Sequence, residues 1–80
     1  MITTEDLQST HHRIKDLRIV REEKWAAWHT LKSKEKLTKE EGKELTSISN
    51  TITSLTYEIR GLEIKFIKMS EQYIQQIVGD

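Results

Sequence analysis

The chain has 80 residues, of which 35% are hydrophobic, 6% aromatic and 32% charged, and its thirteen basic side chains balance thirteen acidic ones. That length allows one domain with a small or shared core, and the excess of charge over aromatic content fits long exposed helices rather than a compact globule. A net charge of zero excludes a global field that would draw the molecule onto nucleic acid or an anionic membrane, and the absence of cysteine removes disulfides and thiolate metal sites.

The first six residues, Met1 to Asp6, lack the basic start and apolar run of a signal peptide, and no stretch approaches the roughly 20 apolar residues that span a bilayer. The expectation is a cytoplasmic protein with no membrane partner. Thr3 reads as a helix N-cap, with Asp6 three residues on and Ile2 placed to staple onto Leu7. The first helix is therefore expected over about 4–34. Its apolar positions, Leu7, Ile14, Leu17, Val20, Ala27, Trp28 and Leu31, keep to one side at helical spacing.

The polar segment 33–38 reads as the turn, and Thr38 followed by Glu41 forms a second capping box that opens a helix over about 39–78. This helix carries a sustained heptad seam: Leu45, Ile48, Ile52, Leu55, Ile59, Leu62, Phe66, Met69 and Tyr73. At about 60 Å against about 48 Å for its predecessor, it is expected to overhang at its C-terminal end. Gly61 interrupts it outside the seam and Gly79 closes it. No repeat, linker or low-complexity tract divides the chain.

A second stripe, Tyr57, Ile64, Ile67, Ile74, Ile77 and Val78, lies largely off the seam. A helix with two apolar sides needs two neighbours. The expected fold is all-α: a long antiparallel helical hairpin that dimerises into a four-helix bundle. Ile52, Leu55, Ile59, Leu62, Ile64, Phe66, Ile67, Met69, Tyr73 and Ile74 are the candidate oligomer interface.

Chemistry is sparse. His11, His12 and His29 have no second histidine or carboxylate that combines metal-ligand spacing with a shared position, and the many hydroxyls lack a base and an oxyanion hole. No enzyme, metal or cofactor is expected. Around the first helix, however, Arg13, Lys15, Arg18 and Arg21 face a single nearby acid, Asp16, and His11, Lys15, Arg18, Glu22, Trp25 and His29 follow one stripe. Arg21 and Lys24 fall at seam positions, opposite a stretch of the second helix, Leu45 to Tyr57, that has hydroxyls and an amide but no charge. They either snorkel outward on their aliphatic stems or await an anion.

Arg18, Arg21, Lys24, Trp25 and His29 are thus the candidate partner- or anion-binding residues. The function expected is non-enzymatic: a protein–protein interaction module, a homodimer that regulates, inhibits or helps assemble another macromolecule. The alternatives are a small nucleic-acid or nucleotide-binding module using the same face, and a purely structural coiled-coil oligomerisation protein.

Overall fold

The computed structural model describes residues 1–79 and contains two helices, α1 (Thr4–Lys32) and α2 (Lys39–Val78), packed antiparallel in a rod of 64 × 14 × 14 Å. Both expected capping boxes form. The Thr3 hydroxyl accepts from the Asp6 backbone N–H at 3.1 Å while the Asp6 carboxylate accepts from the Thr3 N–H at 2.9 Å. Thr38 and Glu41 exchange the same two bonds at 3.1 Å each. These pairs satisfy donors that the first turn of a helix otherwise leaves to water.

α1 stops at Lys32, two residues before the expected end. The Ser33 hydroxyl donates to the Thr30 carbonyl at 2.8 Å, and the Lys34 N–H turns back to the Leu31 carbonyl at 3.2 Å. The i→i+3 bond tightens the last turn and prevents its continuation. Lys34 then forms an ion pair with Glu41 in the first turn of α2.

The helices meet along the predicted seam. Ile59, only 1% exposed, packs with Ile14 and Leu17, and Leu55, Leu62 and Phe66 close around them. Ile52 and Met69 are buried further along the seam on either side. Val20 and Ala27, expected on the apolar side of α1, are exposed instead. They lie one residue short of the true seam positions, Arg21 and Trp28, so they fall on its flank.

The expected C-terminal overhang of α2 is not formed. The Gln76 side-chain amide clasps the Ile2 backbone from both sides, with its oxygen accepting from the N–H at 2.7 Å and its nitrogen donating to the carbonyl at 2.8 Å. The Thr4 and Tyr73 hydroxyls approach to 3.4 Å. The open ends of the hairpin are therefore nearly flush, and the surplus length of α2 lies at the turn, where its first residues run beside 33–38. The overhang was expected from the difference in helix length alone, which does not say at which end the surplus falls.

Candidate functional site

Taking about 100° per residue, the second apolar stripe lies about 150° around α2 from the seam that packs on α1. The structure leaves it bare: Tyr57, Ile64, Ile67, Ile74, Ile77 and Val78 are all between 50% and 73% exposed. Arg60 and Glu71 complete this ridge at the same spacing and are also exposed. Of the ten candidate interface residues, Ile52, Ile59 and Met69 are already buried within the single chain, whereas Ile64, Ile67 and Ile74 face outward. The seam is largely consumed by α1, and the ridge remains.

The five candidate residues of α1 do not converge on one point. The Arg18 guanidinium reaches Glu63 of α2 at 2.9 Å, and Arg13 reaches Glu58 at 3.3 Å. Both pairs are about half exposed, so each contributes little to stability, but each has answered its charge. Arg21 is half-buried and donates to the Thr56 hydroxyl at 3.5 Å. Lys24 is exposed despite its seam position. Among the described residues, neither Arg21 nor Lys24 has a carboxylate within ion-pair distance.

Four hydroxyls of the Leu45 to Tyr57 stretch are engaged within α2. Thr46, Thr51, Thr53 and Thr56 each donate to the carbonyl four residues earlier, at 2.8 to 3.1 Å. This back-bonding is the usual fate of threonine inside a helix. It leaves these donors unavailable to an anion.

Trp25 and His29 form an aromatic cluster with Trp28. The Trp25 and His29 rings stack at 5.6 Å with an interplanar angle of 25°, while Trp28 meets both edge-on at 5.6 and 5.1 Å. The Lys32 ammonium lies 5.9 Å from the centre of the Trp28 ring, within cation–π range. Trp25 is 42% exposed and Trp28 half-buried.

Between this cluster and α2 runs an open groove whose walls are Trp25 and Trp28 on one side and Ile52, Thr56, Tyr57 and Arg60 on the other. Sequence reasoning found both tryptophans but missed Arg60 and Lys32. Arg60 could have been found from its place in the Tyr57 to Ile74 spacing.

Among the described residues, no group of three histidines or acids is placed to hold a metal ion, and no helix is long and apolar enough to cross a membrane. Two carboxylates have perturbed acidity. The Thr3 backbone N–H holds Asp6 below the ordinary carboxylate range, and the Lys34 ammonium, followed by the Thr38 N–H, does the same for Glu41. Both groups cap helices, so their perturbation is structural. No protein-family model, curated protein or solved structure matches this chain.

Proposed function

We propose that this protein is a non-enzymatic interaction module, a helical hairpin whose outward α2 ridge is buried against another protein chain while α1 presents cations and aromatic rings to a bound macromolecule. Regulation, inhibition or assembly of that macromolecule is its activity. The observation that carries this reading is the ridge itself. Six large apolar side chains stand exposed on the side of a helix whose opposite face is already packed, and apolar surface gathered in this way marks an interaction site.

The magnitudes permit association. Complete burial of such a side chain is worth about 1.5–3 kcal/mol. At about half that value, the ridge and an equal apolar surface on its partner together contribute about 9–18 kcal/mol. Association costs about 4–15 kcal/mol in lost freedom, a range that this contribution overlaps and at its upper end exceeds.

The nucleic-acid alternative has less to draw on. Arg13 and Arg18 are already answered by Glu58 and Glu63, which leaves too few free cations on that stripe to neutralise several phosphates. Lys24 and His29, both exposed on α1, suit an acidic protein surface better.

A photo-crosslinking amino acid placed at position 57 in the expressing cell tests this reading. A discrete adduct of defined mass is expected, absent when the same group replaces exposed Asp16. Uniform failure to form an adduct at position 57 would defeat the proposal.

A further inference from the structure

The ridge runs Tyr57, Arg60, Ile64, Ile67, Glu71, Ile74, with alternating steps of three and four, and every member is exposed. This is the pattern of a second coiled-coil seam. Its polar members carry opposite charges and sit symmetrically about the midpoint between Ile64 and Ile67.

That symmetry makes the ridge complementary to itself in one direction. In an antiparallel pair centred on the midpoint, Ile64 faces the partner's Ile67, Arg60 faces the partner's Glu71, and Tyr57 faces the partner's Ile74. Each contact then occurs twice, as a two-fold interface requires. A parallel pair would instead set Arg60 on the partner's Arg60 and Glu71 on the partner's Glu71. Like charges at that spacing repel, so the charge pattern selects the antiparallel arrangement.

Two otherwise unexplained features fit the same register. A side chain at Gly61 would meet nothing within 4 Å inside the hairpin, so intrachain packing does not require glycine there. In the pair, Gly61 flanks the seam where the partner's Lys68 crosses. The second feature is the open groove beside Trp25 and Trp28. The antiparallel register brings the partner's Ile77 beside Thr56, on the flank of α2 nearer α1. The exposed C-terminal turn of one chain thereby lies in the tryptophan groove of the other.

We infer that the occupant of the α2 ridge is a second copy of this chain, docked antiparallel with Arg60 paired to the partner's Glu71 and with the C-terminal turn seated against the partner's Trp25 and Trp28. The inference rests on the interaction reading above and names its partner. Because the ridge lies nearly opposite the α1 seam, the four helices stand almost in a row, with the two α2 helices inside. This is an open arrangement, in contrast to the closed four-helix bundle expected from the sequence. It leaves the outer face of α1 free for a further partner.

Charge exchange tests it. The purified 80-residue chain and its Arg60→Glu, Glu71→Arg and doubly exchanged variants are compared by sedimentation equilibrium, with circular dichroism as a check on folding. Both positions are exposed, so the hairpin itself survives each change.

Each single variant is expected to weaken dimerisation about a hundredfold or more, because it creates two like-charge pairs. The double variant restores the dimer, and so does mixing the two single variants, which gives a heterodimer with both pairs opposite in sign. Tryptophan emission of the wild type shifts to the blue on dimerisation, and Ile77→Ala reduces that shift. A dimer indifferent to charge exchange overturns the register. A wild-type chain that stays monomeric while its position-57 adduct contains a different protein overturns self-docking but leaves the interaction reading standing. The absence of any adduct defeats both.

Discussion

Ile59→Ala and Ile64→Ala separate the two apolar faces of α2. Ile59 is 1% exposed, against Ile14 and Leu17, and among the described residues no other side chain is as fully buried. Truncating a buried isoleucine costs about 2–5 kcal/mol, from lost transfer energy plus the cavity left behind. An 80-residue domain has about 4–12 kcal/mol in all, so Ile59→Ala removes a large part of it. Ile64, five residues away in the same helix, is 50% exposed. Within a lone hairpin its truncation costs less than about 1 kcal/mol, but on an associated ridge the cost grows with protein concentration. Urea unfolding followed by far-ultraviolet circular dichroism, at dilute and concentrated protein, reads both effects. Equal costs for the two variants in dilute protein would refute the division of α2 into a packed seam and an outward ridge.

Removing either cap, by Thr3→Ala or Thr38→Ala, is expected to cost about 1 kcal/mol in the same unfolding assay. Asp6 and Glu41 both have acidities below the ordinary carboxylate value in the folded chain. Their contribution is therefore present above that value and lost as the pH falls through and below it. Acid unfolding should begin in this window and become shallower in Thr3→Ala and Thr38→Ala. Gly61→Ala, at an exposed helical position with open space around it, should stabilise dilute protein by about 0.5–1 kcal/mol in a thermal melt. Arg18→Ala should change stability by less than about 1 kcal/mol, because its pair with Glu63 is half in water.

Much of the fold was legible because the signals were local. Thr3 with Asp6 and Thr38 with Glu41 state where each helix begins, and the seam from Leu45 to Tyr73 states which face of α2 packs. The ends and the register were harder. The length of α1 depends on whether Ser33 and Lys34 turn back to cap carbonyls, which composition does not encode. The register of the two helices is fixed by distant partners, such as Gln76 with Ile2 and Tyr73 with Thr4. Helix lengths do not say at which end the surplus of α2 falls, so the overhang was expected at the wrong end.

The candidate site was legible in part. Periodicity found the exposed ridge, but it could not divide the proposed interface into residues buried within one hairpin, such as Ile59, and residues left outside, such as Ile64. The cationic stripe of α1 looked more available than it is. Arg18 and Arg13 find carboxylates on α2, at Glu63 and Glu58, which spacing along α1 alone does not reveal. The hydroxyls of Thr46, Thr51, Thr53 and Thr56 read as a polar lining, yet each donates to its own helix. Side chains that satisfy one another across or along helices cannot be told from free ones by type and spacing alone.

The mass of the purified chain in solution, measured by light scattering after size-exclusion chromatography over a wide concentration range, tests the central claim most directly. The account predicts a species of twice the 9.4 kDa chain mass that dissociates only on dilution and fails to form in Arg60→Glu. A species of the single-chain mass at every concentration, with the ridge exposed and no partner chain bound to it, would contradict it.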